Sequence, residues 1–184
     1  DSQRGLLDRL VSASLLARHD GEKTQTLLLK LAVDQQPAVA AIALKRLLEL
    51  DPNLIVAMAE RIISSGDANV RWLGARALVA RPTPVTIGQL GPMRDDPHPE
   101  VRRYARKSLT QSSNKTEFDS LVRELATKML ATDRWRGLEQ AAILLTELDH
   151  KPAADRLVEL LEFERPEVFV TAAWGLRKLA VPET

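Results

Sequence analysis

The chain has 184 residues, 45% hydrophobic and 28% charged, with a net charge of +1. Those values fit one water-soluble domain with a core of useful size, and the near-neutral charge gives no global attraction to nucleic acid or a membrane surface. There is no cysteine, which excludes disulfides, thiolate catalysis and cysteine-based zinc sites.

In chain order, Leu6, Leu7, Leu10, Val11 and Leu15 predict a first apolar helix over residues 1–21. Beyond it, five segments align: Pro37–Leu47, Ala68–Leu78, Pro99–Leu109, Trp135–Leu145 and Pro166–Leu176. Their first apolar positions are Val39, Val70, Val101, Gly137 and Val168, separated by 31, 31, 36 and 31 residues. Four residues on stand Ala43, Gly74, Ala105, Ala141 and Ala172; eight on stand Leu47, Leu78, Leu109, Leu145 and Leu176. Offsets of four and eight place these side chains on one helical stripe, with a small residue at its centre to admit a neighbouring helix.

Upstream of each marker a second helix has its own columns. Leu28, Ala59, Leu90, Ala126 and Leu157 lie eleven residues before it, and Leu31, Ile62, Met93, Met129 and Leu160 lie eight before it. Each unit is therefore helix A, a tight turn and helix B, with repeats at 22–51, 52–81, 82–113, 114–150 and 151–184. Proline at 37, 52, 84, 99, 152 and 166 suits the first turn of a helix. Asp67 is expected to cap its helix, and Asn114 to Glu117 is expected to form a capping box after a five-residue loop insertion. Leu7 precedes Val39 by 32 residues, so the first helix reads as a B helix without its A partner. The start at Asp1 predicts a processed or excised piece, and the lack of a closing polar helix predicts either part of a longer protein or ends that pair with something. With no apolar signal segment and no run of 18 apolar residues, the compartment stays open, cytoplasmic by default.

Asp96-Pro-His-Pro-Glu-Val-Arg-Arg-Tyr-Ala-Arg-Lys-Ser-Leu109 resembles the HEAT-like repeats of the short, phycobilisome-lyase type. Asp34 and Asp96 match the loop acid of that pattern, and Val70-Arg71 and Val101-Arg102 its Val-Arg pair. The resemblance spans residues 22–181 and implies an all-α, right-handed α-solenoid of five repeats plus the unpaired first helix, in one domain over 1–184. It also implies that a loop acid and an arginine bridge neighbouring repeats, with Asp96 meeting Arg71 or Arg102. Gly137 departs from the pattern, so looser helix contacts are expected there. Enzymes of this fold that bind iron use His-Glu pairs, and no His-Glu dipeptide occurs here.

No nucleophile, Walker-type or dinucleotide-binding motif is present. His19 and His150 fall just past helix ends, where a cation suits the negative pole of the dipole. No cofactor or metal site is expected. Charge is segregated: residues 68–111 carry eight basic and three acidic side chains. Six residues after the markers stand Lys45, Arg76 and Lys107, a basic ladder if equivalent positions stack, with Arg71, Arg102, Arg103 and Arg106 nearby. Trp72, Tyr104, Trp174 and Trp135 share the B helices, which in such solenoids line the concave binding face. The expected function is a non-enzymatic scaffold that binds a protein, and specifically an acidic segment, through these residues. A nucleic-acid-binding solenoid and a lyase-like accessory subunit are the alternatives.

Overall fold

The computed structural model describes residues 2–180, and among these every regular element is helical. The chain divides into two compact units, residues 1–81 and 82–184, at the boundary between the second and third repeats.

Unit 1 opens with α1, Ser2–Leu16. The first repeat is α2, Glu22–Leu31, followed by α3, Pro37–Leu50. The second has a divided A helix, α4 at Pro52–Val56 and α5 at Ala59–Ile63, followed by α6, Ala68–Ala80. Prolines 37 and 52 sit at helix starts, where the missing N–H costs nothing. Asp67 caps α6 as expected, accepting 3.0 Å from the Val70 N–H. Val39, Ala43 and Leu47 on α3, and Leu28 on α2, have no solvent exposure; Ala59, Ile62, Val70 and Leu78 continue the same columns into the second repeat. At Gly74 on α6 an added Cβ would lie 2.8 Å from the Ile62 side chain, so the small central residue does admit a close neighbour.

The first helix differs from its expected packing. α1 packs on α2 and α3 and buries Ala13, yet Leu7, Val11 and Leu15 are more than half exposed. Their spacing is that of the α3 stripe buried against its A helix, and among the described residues no A helix covers it.

Unit 2 holds three repeats. The third comprises α7 at Pro84–Leu90, a 3-10 turn at Pro92–Asp95 and α8 at Pro99–Ser113. Gly91-Pro92 divides its A helix, since Pro92 supplies no N–H to continue the ladder. Thr83 and Thr86 form the capping box of α7. The fourth repeat is α9, Thr116–Leu130, and α10, Trp135–Glu147. The fifth has a short A element, α11 at Ala154–Glu159 between 3-10 turns, and then α12, Pro166–Leu179. Val101, Ala105, Leu109, Ala141, Leu145, Val168 and Ala172 are buried as the columns require, whereas Leu176 is half-buried.

Two expectations are corrected here. The insertion after Leu109 is not a loop, because α8 runs on to Ser113. Its polar residues bond back into the helix, Ser112 Oγ to the Ser108 carbonyl at 2.9 Å and Ser113 Oγ to that of Thr110 at 2.7 Å. Asn114 is consequently the C-cap of α8, Lys115 is the N-cap of α9 without a side-chain bond, and no capping box forms. Gly137 does not loosen its repeat. Met129 fills the space, so that a Cβ on Gly137 would collide with its sulfur, and the Gly137 N–H donates to Asp95 Oδ1 at 3.1 Å.

Candidate functional site

In unit 1 the marker-plus-six residues come together. Lys45 on α3 and Arg76 on α6 are exposed and line one shallow groove with Ala41, Ile42, Asn69, Trp72 and Leu73, about 380 Å³ in volume. They meet because α3 and α6 pack side by side as successive B helices. The Arg76 guanidinium stands 5.0 Å from the centre of the half-buried Trp72 ring. An exposed cation–π contact of this kind is worth about 0.5–1 kcal/mol and holds the guanidinium near the indole. The groove thus joins two cationic tips to an aliphatic and aromatic floor.

Arg71, next to Trp72, does a different job. It is buried, and its Nη1 donates to the carbonyls of Ser65 and Gly66 at 2.9 and 3.1 Å. Arg102 repeats this latch in unit 2, donating from Nη1 to the carbonyls of Asp96 and Pro97 at 3.2 and 3.1 Å. The arginine of the Val-Arg pair therefore ties helix B to the turn before it. The Asp96 carboxylate accepts from the His98 N–H at 2.8 Å. The loop acid Asp34 bridges to the preceding helix, its carboxylate lying 2.9 Å from Arg9 of α1.

Arg106 is also structural: Nε donates to Gln140 Oε1 at 3.0 Å and Nη1 to Glu147 at 2.5 Å, while Thr110 donates to the other Glu147 oxygen at 2.9 Å. On the same helix, Arg103 is exposed and pairs with Glu100 at 3.1 Å, Lys107 is exposed, and Tyr104 is half-buried. Trp174, on α12, is about one-third exposed.

Several cations have roles the sequence pattern did not reveal. Arg94 is almost wholly buried and donates to the carbonyls of Gly91 and Leu125 at 2.9 and 2.8 Å; burial lowers its pKa to about 10, leaving it charged at neutral pH. Arg123 donates to the Leu148 carbonyl at 3.0 Å, so it, rather than His150, serves the C-terminal end of α10. Burial first, then the neighbouring Arg123 charge, hold the His150 imidazole below its usual range, with Asp119 acting in the opposite sense. Beside it, a second groove of about 560 Å³ is lined by His150, Asp133 and Arg156. Arg156 is engaged there with the Leu130 carbonyl and Glu159. Among the described residues no group of three or more His, Asp or Glu could hold a metal ion, and no helix is long and apolar enough to cross a membrane.

No family model matches the chain, and no curated protein sequence matches it. Solved structures are similar in fold. The complex of CpcE and CpcF of phycocyanin lyase from Nostoc sp. PCC7120 aligns with a TM-score of 0.53 at 22% identity, covering 83% of this chain and 98% of that one. A designed armadillo repeat protein in complex with a (KR)4 peptide aligns more distantly, with a TM-score of 0.47 at 16% identity over 96% of this chain and 94% of that one. The fold class is that of HEAT-like helical-repeat solenoids.

Proposed function

We propose that the protein is a non-enzymatic interaction module that captures an acidic segment of a partner protein in the groove between α3 and α6. The observation that carries this reading is the groove itself. Lys45 and Arg76 flank Trp72 over a floor of Ala41, Ile42 and Leu73. A carboxylate can be taken bidentately by the Arg76 guanidinium, which already stands over the Trp72 ring, so little side-chain entropy is lost on binding. Lys45 adds a mobile ammonium for a second acid, and the apolar floor accepts an aliphatic or aromatic neighbour. Trp and Arg are the residue types that most often dominate binding energy at protein interfaces.

Helical-repeat solenoids are typical interaction scaffolds. The CpcE–CpcF structure is itself a complex of two proteins, an association that this reading extends to the present chain only as a class. Within unit 2, Lys107 stands exposed at the position of α8 that matches Lys45 and Arg76, with Arg103 nearby and paired to Glu100.

Trp72 is the natural reporter. In a variant carrying Trp135→Phe and Trp174→Phe, an eight-residue polyglutamate peptide is expected to change Trp72 emission saturably. Adding Lys45→Glu and Arg76→Glu is expected to weaken that response about tenfold or more, as removal of an interface anchor does. An unchanged affinity in the charge-reversed protein would contradict the site.

A further inference from the structure

Trp135 begins α10 and is surrounded by cations. The guanidinium carbons of Arg136, Arg165 and Arg102 lie 4.6, 5.1 and 5.9 Å from the centre of its ring. Three different helices supply them. Arg136 is in the first turn of α10, Arg165 is the N-cap of α12, and Arg102 comes from α8. Arg134, the N-cap of α10, stands beside the cluster and is answered by Asp95 at 3.5 Å.

This arrangement is electrostatically one-sided. Helix N-termini carry partial positive charge, and acidic side chains are the stabilising choice there. The first turn of α10 has no acid, and it has Arg136 instead; α12 has Glu167 in its first turn behind the Arg165 cap. Arg102 is compensated, with Glu139 at 4.0 Å and two turn carbonyls. Neither Arg136 nor Arg165 has a carboxylate within ion-pair distance among the described residues. Their common partner is the π face of Trp135, which orients them and leaves their charge uncancelled.

From this we infer that the Trp135 cluster is a second docking site, for an acidic peptide segment whose carboxylates enter between Arg136 and Arg165. Guanidinium forks match carboxylates in plane and in spacing, and the indole adds an apolar surface for the peptide stem. A nucleic-acid duplex is a poorer fit. Its affinity depends on neutralising many phosphates along a groove, whereas this cluster is compact and the whole chain carries only +1. The site lies within unit 2 and does not depend on the groove between α3 and α6, so the two can fail separately.

The test uses the full chain with Trp72→Phe and Trp174→Phe, leaving Trp135 as the sole tryptophan, and an eight-residue polyglutamate peptide as probe. The expected result is a saturable change in Trp135 emission that a polyglutamine peptide of equal length does not produce. In the same background, Arg136→Gln with Arg165→Gln is expected to weaken binding about tenfold or more, and Arg136→Lys with Arg165→Lys to give an intermediate loss. Lys45→Glu with Arg76→Glu is expected to leave the Trp135 response intact, which separates this site from the unit 1 groove. Circular dichroism identifies any variant that has lost its helices, and the lysine pair keeps the test open if the glutamine pair unfolds. The inference is overturned if polyglutamate leaves Trp135 emission unchanged, if the glutamine pair binds as tightly as the parent, or if a short DNA duplex binds the cluster more tightly than polyglutamate.

Discussion

The first repeat of unit 2 fills one buried position of helix B with different chemistry from the two repeats of unit 1. Five residues after the marker, helix B carries a side chain that is buried in α3, α6, α8 and α10. Unit 1 places Leu44 and Ala75 there, both without solvent exposure. Unit 2 places Arg106 at the equivalent position of α8 and buries it through Gln140, Glu147 and Thr110. A buried aliphatic group contributes through area removed from water and is indifferent to salt. A buried guanidinium contributes only while each donor finds its acceptor, and removing one partner exposes the full desolvation cost. The repeat pattern therefore conserves shape and register between the units, and leaves the source of cohesion free to change.

Leu44→Ala is the largest expected break in this comparison, at about 3–5 kcal/mol of unfolding free energy, because the closed site cannot collapse onto the cavity. Urea denaturation at low and high salt should return the same loss. Arg106→Ala is expected to cost about 3 kcal/mol by stranding Glu147 and Gln140, and Arg106→Leu combined with Glu147→Leu should recover more than half of that loss. If the apolar pair were as unstable as Arg106→Ala, the two units would not be interchangeable solutions.

Arg71→Ala and Arg102→Ala each remove two bonds to turn carbonyls, at about 1–2 kcal/mol apiece in chemical denaturation. The buried Arg71 is expected to be the costlier. The smallest effect is that of His150, whose folded-state pKa is depressed. Its proton is held more tightly by the unfolded chain, so its contribution is complete above the unfolded pKa of about 6.5 and is lost as pH falls through that value and below it. His150→Asn is expected to flatten the slope of stability against pH between about 6.5 and 5. An identical slope in the variant would remove His150 from the account.

The repeat itself was legible because each column repeats a packing constraint: Val39, Ala43 and Leu47 predict Val70, Gly74 and Leu78, and all six are buried. The fate of individual arginines was not legible. Arg71, Arg76, Arg102 and Arg106 look alike as letters, yet two are buried, one latches a turn from a half-buried position and one stands exposed over the Trp72 ring. Their roles depend on acceptors such as the Ser65 carbonyl and Glu147, which lie six residues back or in the next repeat. The Trp135 cluster was hidden for the same reason, since Arg102, Arg136 and Arg165 converge only through three separate helices. The Asn114 capping signal failed because α8 runs on through Ser113 and makes Asn114 its C-cap, with the Asn114 N–H donating to the Gln111 carbonyl.

The most direct test of the account is a ¹H–¹⁵N correlation spectrum of the whole chain, in which the three indole N–H groups report on Trp72, Trp135 and Trp174 at once. On addition of the polyglutamate peptide, the Trp72 indole signal is predicted to shift saturably and to stop responding after Lys45→Glu with Arg76→Glu. A Trp72 signal that stays fixed through the titration, or one that moves equally in the charge-reversed protein, would contradict the proposed capture of an acidic segment between α3 and α6.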